Sequence, residues 1–144
     1  MSKKTKNDRL KKDSGQDVIK ADKASIINID ISELMVFSFS HFCRDQGSSF
    51  KQWEKEGVLK NALEKIAAYS KKRISDEDGT YTIYGDFPPK SGFTHPSYIP
   101  EDARWARIHV NGKHIIAGHV IKNVFYVVFL DSEHKFWVTR KKHT

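Results

Sequence analysis

Hydrophobic positions are sparse over residues 1–25 and frequent after them. In that first segment only Leu10, Val18, Ile19 and a few alanines interrupt a polar run rich in lysine. So little apolar surface cannot offset the entropy lost on ordering, which predicts a flexible basic arm over 1–25 and one domain over 26–144. Ile26, Ile27, Ile29 and Ile31 lead into Leu34–Phe42, where Phe37 and Phe39 alternate with Ser38 and Ser40. Alternation with period two marks a half-buried strand. Ser48 or Ser49 can cap a helix starting near Phe50, because a hydroxyl accepts from the free N–H groups of a first turn. Beyond Gly57, residues Leu59, Ala62, Leu63, Ile66 and Ala67 recur at i, i+3, i+4, i+7 and i+8, with Lys60, Asn61, Glu64 and Lys65 opposite. That spacing predicts an amphipathic helix, and Lys71, Lys72 and Arg73 suit its C-terminal end.

A turn at Asp76–Gly79 introduces a short strand over Thr80–Tyr84. Residues 85–103 hold all four prolines, yet also Phe87, Phe93, Tyr98 and Ile99. Those side chains need packing partners, so an ordered loop is expected. Three β-rich runs follow, Trp105–Val110, Lys113–Ile121 and Val124–Asp131. Asn111-Gly112 separates the first two, and this pair suits a type I′ hairpin because both positions need positive φ. Lys122-Asn123 is the second tight turn. A final strand and a basic tail are expected within 132–144. The fold class is therefore α+β: an antiparallel sheet of four to five strands, packed by one or two helices from the N-terminal half.

With two-residue turns, His109 faces His114, Arg107 faces Ile116, Trp105 faces Gly118, and His114 faces Asp131. Alternation then sorts the meander into two faces. One carries Ala106, Ile108, Val110, Ile115, Ala117 and His119, and is expected to receive the helix. The other carries Trp105, Arg107, His109, His114, Ile116, Gly118 and Asp131, with its polar members at one end. His134 and Lys135 follow just beyond.

Charge sharpens this picture. Lys and Arg number 25 against 18 Asp and Glu, a net charge of +7 that favours acidic partners such as RNA. One cysteine, Cys43, excludes an internal disulfide and a multi-cysteine zinc site. It reads as an inert thiol. The longest apolar run, Val124–Leu130, is far short of the ~20 residues of a membrane helix. No secretory signal is read at the N-terminus, so a cytoplasmic protein is expected. His109, His114, His134 and Asp131 are acceptable metal ligands, but no HExxH or CxxC spacing accompanies them, and neither a metal nor a cofactor is expected. No glycine-rich phosphate loop is present.

The candidate catalytic set is Arg107, His109, His114, Asp131, His134 and Lys135. RNA cleavage by internal attack needs a neutral base for the ribose 2′-OH, a cation for the phosphorane and an acid for the leaving oxygen. Histidine suits both proton transfers. His109 or His114 would be the base, His134 the acid, Arg107 the phosphate ligand, and Asp131 an imidazole orienter. Candidate nucleic-acid contacts are Trp105, His95, Tyr98 and Lys113, since rings stack on bases of any sequence.

The stretches Trp105-Ala-Arg-Ile-His-Val and Asn123–Trp137 resemble the C-terminal part of small endoribonuclease toxins, the RelE-like group and its barnase-type relatives. The resemblance implies a toxin of a prokaryotic toxin–antitoxin system, with RNA as substrate and an antitoxin protein as partner. It also implies phosphate and proton-transfer roles for Arg107, His134 and Lys135. The chain is longer than such toxins, and the proline-rich loop is not part of their pattern. The alternative from the residues is a noncatalytic RNA- or protein-binding module that uses its basic surface.

Overall fold

A computed structural model describes residues 33–138. The arm over 1–25, the isoleucines up to residue 31 and the basic tail from residue 139 lie outside the described residues. Seven elements follow in chain order: β1 (Val36–Ser38), α1 (Phe50–Lys55), α2 (Leu59–Tyr69), β2 (Tyr81–Gly85), β3 (Arg104–Asn111), β4 (His114–Ile121) and β5 (Val124–Asp131). The strands form one five-stranded sheet in the order β1-β5-β4-β3-β2. All neighbours are antiparallel except β1, which lies parallel to β5. The architecture is α+β. Among the described residues no strand follows β5, and no helix is long and apolar enough to cross a membrane.

Local chemistry accounts for the helices. Ser49 caps α1, its side chain accepting from the Gln52 N–H at 3.0 Å. Gly57 then reverses the chain at φ +74°, where an L side chain is disfavoured. Its N–H donates to the Glu54 carbonyl, and the Val58 N–H donates to the Trp53 carbonyl at 2.9 Å. This pair of bonds closes a Schellman motif, with Val58 and Trp53 sharing the core beside it. Helix α2 buries Ala62 and Tyr69, with Leu59 and Ile66 half-buried, while Leu63 stays exposed.

Both faces of the sheet are covered. The helices pack on Ala106, Ile108, Val110, Ile116, Val120, Phe125, Val127 and Leu130. The opposite face, expected to be mixed, buries Trp105, Ala117, Val128 and Phe129 beneath Phe93, Ile99, Ala103 and Phe136. The proline-rich loop and the segment after β5 thus form a second layer. Gly118 lies on β4 tight against β5. A Cβ there would collide with the Tyr126 carbonyl and come within 2.8 Å of the Phe125 ring.

The register of β3 and β4 differs from expectation by one residue. Asn111 pairs with His114, so Gly112 and Lys113 form the loop. A bulge at Val110 then sets His109 opposite Ile115, Ile108 opposite Ile116 and Arg107 opposite Ala117. A one-residue slip exchanges faces along a whole strand. Ile116 and Val120 therefore join the helix side, while Ala117 faces the loop layer with Trp105. The second turn is as expected, Ile121 pairing with Val124 across Lys122 and Asn123. A further irregularity beside Gly118 leaves Val128 unpaired and brings Ile115 opposite Asp131, the place expected for His114.

Candidate functional site

Arg107 and His109 are two residues apart on β3, so both share the loop-layer face with Trp105. They sit where that face emerges from its cover, and both are half-buried. The Arg107 guanidinium lies 5.9 Å from the centre of the Tyr84 ring and donates weakly to the Gly79 carbonyl at 3.4 Å. Its Nε is buried without a protein partner. His109 is held through its backbone to the residue just before β2, its N–H donating to the Thr80 carbonyl at 2.8 Å. Burial pushes the His109 imidazole below the ordinary histidine range, and the Arg107 charge adds to this, as do His134 and Lys65.

His134 enters from the turn after β5. Its backbone has φ +56°, and its ring centre lies 6.0 Å from that of His109. Asp131 sets this turn. Its carboxylate is fully buried and accepts from the Glu133 N–H at 3.0 Å and the Phe136 N–H at 2.7 Å. Asp131 therefore holds main chain, not an imidazole as expected from the sequence, and acts on His134 by fixing the loop that carries it. Replacing Asp131 by alanine leaves two N–H groups without their acceptor, one of them buried, each worth about 1–3 kcal/mol. Asp131→Ala is expected to lose about 2–4 kcal/mol in urea unfolding. An amide spectrum should show residues 132–136 displaced. Unchanged amide positions there would end the positioning role.

The other expected residues separate. His114 lies on the helix side, its Nε2 2.8 Å from Glu56 Oε1 and its ring edge-on to Trp53. The hydrogen bond from Gln52 and the contact with His114 hold the Glu56 carboxyl below its usual range. Lys135 extends over the Phe93 ring at 5.3 Å, and its carbonyl accepts from the Gly92 N–H at 2.7 Å. Lys113 is exposed in the hairpin loop. Trp105 is fully buried between Phe87, Phe129 and Phe136, which removes it as a surface on which a base can stack. His95 is half-buried beside Trp105, its Nδ1 2.8 Å from the Pro96 carbonyl. That carbonyl can only accept, so Nδ1 carries the proton. Tyr98 is exposed and donates to the His41 carbonyl at 3.1 Å.

A histidine pair not expected from the sequence occupies the other end of this face. His41 Nδ1 lies 3.0 Å from His119 Nε2, and both rings stack on Tyr126. His119 is fully buried, and burial, with lesser effects of His41 and His95, pushes its pKa down to about 4. It stays neutral at physiological pH. Its Nδ1, with Trp105 Nε1 and His95 Nε2, is buried without a protein partner. His119 had been placed toward the helices by the unslipped register. His41 reaches it only because β1 pairs with β5, a long-range parallel contact that no local pattern signals.

Among the described residues no group of three or more His, Cys, Asp and Glu side chains is placed to hold a metal ion. What the rim of β3 brings together is Arg107, His109 and His134: one guanidinium and two imidazoles, with the charged form of His109 disfavoured by burial and by Arg107. No protein-family model, curated protein or solved structure matches this chain.

Proposed function

We propose that this protein is a toxin-type endoribonuclease that cleaves RNA by metal-independent acid–base chemistry. The observation that carries the proposal is the His109–His134 pair, 6.0 Å between ring centres, beside the Arg107 guanidinium. With His114 bound to Glu56 on the opposite face, the base is His109. Its lowered pKa keeps a lone pair available at neutral pH. His109 takes the proton of a ribose 2′-OH, and the oxygen attacks the neighbouring phosphorus. Arg107 stabilises the charge that grows on the phosphorane. His134 protonates the departing 5′-oxygen, leaving a 2′,3′-cyclic phosphate and a free 5′-hydroxyl. Asp131 keeps His134 in place, and Lys135, drawn away over Phe93, takes no part in the step. RNA is the proposed substrate, the cytoplasm the proposed site of action, and an antitoxin protein the proposed partner.

The test incubates purified protein with total RNA in EDTA, beside an Arg107→Ala/His134→Ala double variant. Cleavage by the parent alone, with cyclic phosphate at the new 3′ ends, supports the proposal. No cleavage by either protein, with salt-sensitive RNA retention by both, overturns it in favour of a noncatalytic binding module.

A further inference from the structure

We propose that the surface pocket walled by Pro88, Pro89, Lys90, Trp137 and Val138 holds the base of an unpaired nucleotide, next to the phosphate bound at Arg107. The inference rests on the ribonuclease reading for its choice of ligand. Its structural basis is separate, because none of the five residues belongs to the acid–base set.

The pocket is about 380 Å³, within the roughly 300–1,000 Å³ range of small-molecule sites. Its lining is mostly apolar, with one lysine. Of the three tryptophans, Trp53 and Trp105 are fully buried, whereas Trp137 is 36% exposed. Trp137 is held in a fixed plane, stacked on Tyr84 at 4.4 Å and 16°. Tyr84 in turn carries the Arg107 guanidinium at 5.9 Å. A ladder of guanidinium, phenol and indole thus runs from the proposed phosphate site to the pocket wall. Two successive prolines also line the pocket, and their rings have little conformational freedom to lose on binding.

Each part suits a nucleotide. A base has a flat apolar face that stacks on indole regardless of sequence, worth about tenfold or more in affinity. Lys90 lies beside this surface and can meet a phosphate. A base already stacked and paired in a duplex has no free face to offer, so the pocket selects single strands. A nucleotide meets both parts of the lining at once, its base covering the exposed indole while its phosphate meets Lys90.

The experiment uses a short single-stranded oligoribonucleotide carrying 2′-O-methyl groups, which removes the attacking hydroxyl. All three tryptophans emit, but Trp53 and Trp105 are buried out of reach of a stacking base, so quenching that is lost in Trp137→Phe reports on Trp137. Saturable quenching is expected, and duplex RNA of the same length should quench far less. Measured by anisotropy of a labelled oligonucleotide, Trp137→Leu should weaken binding on the order of tenfold, while Trp137→Phe keeps most of the affinity. Lys90→Ala should lower the salt slope by about one. Quenching and loss in Trp137→Leu without any cleavage of total RNA would keep the pocket and overturn the catalytic reading. Cleavage by a parent that shows no quenching, equalled by Trp137→Leu, would keep catalysis and overturn the pocket. Equal affinity for duplex and single strand would also overturn it.

Discussion

Alanine at His109 is expected to lower RNA cleavage by about two to four orders of magnitude, the usual worth of a positioned general base. The substitution should leave the fold in place. His109 is half-buried at the rim of the sheet, and the bond that ties it to Thr80 comes from its backbone. Single-turnover cleavage against pH is the measurement. In the parent, activity should fall on the acid side as His109 takes a proton, at a pH below the ordinary histidine range, since burial and Arg107 both disfavour its charged form. Arg107→Met removes one of those causes, so the acid limb that remains should move upward. His109→Ala should lose that limb altogether, and added imidazole should restore part of the rate. A loss of less than tenfold, or an acid limb unmoved by Arg107→Met, would remove His109 from the base role.

Trp53→Ala is expected to cost about 3–5 kcal/mol of stability, the range for deleting a buried aromatic side chain. Trp53 is fully buried in the core on the helix side of the sheet, in one cluster with Val58, Ala62 and Leu130. Its Nε1–H donates to Ser132 Oγ at 2.8 Å, and Ser132 meets Ser48 at 2.6 Å. Its ring edge also supports His114. Deletion opens a cavity at the Schellman turn and strands a hydroxyl pair that joins the start of α1 to the end of β5. With typical domain stability of about 5–15 kcal/mol, the loss should lower the melting temperature by roughly 10–20 °C. Trp53→Phe keeps most of the apolar contact and should lose about half as much. Thermal unfolding followed by circular dichroism separates the variants. A loss below about 1 kcal/mol for alanine would mean that the helices close over the gap.

Elements whose causes are local were legible in the sequence. The capping serine, the stop at Gly57, the apolar stripe of α2 and the three meander strands each depend on residues near one another. The proline-rich loop was legible as ordered because its aromatics needed cover. The sheet pairing was not, since it depends on the bulge at Val110 and on a turn placed one residue later than Asn-Gly suggested. Bulges arise where strand twist and packing on two faces conflict, and alternation along one strand carries no mark of that conflict. The slip moved His114 to Glu56 and His119 under the loop layer. Arg107 and His109 kept their shared face because both lie on β3, before the irregularity. Asp131 was legible as a polar residue at a strand end, yet its hydrogen bonds to Glu133 and Phe136 depend on a turn that no motif announces. The His41–His119 pair was illegible for a related reason: its two halves are 78 positions apart and meet through β1.

The parallel pairing of β1 with β5 has a consequence for how the chain matures. Strands β3 to β5 follow one another as hairpins, and β2 pairs with the next strand in the chain across the proline-rich loop, so each strand finds its partner in its sequence neighbour. The edge strand is different. It is synthesised first among the described strands, yet its partner residues Val124, Phe125 and Tyr126 are nearly the last of them to leave the ribosome. Until then Val36 and Phe37 have no place to dock, and a hydrophobic strand without a neighbour is open to association with other chains. Closing so long a loop is also slow compared with forming hairpins. Docking of β1 is therefore expected to be the late step of folding. The His41–His119 contact, which depends on it, becomes a natural marker of a finished molecule.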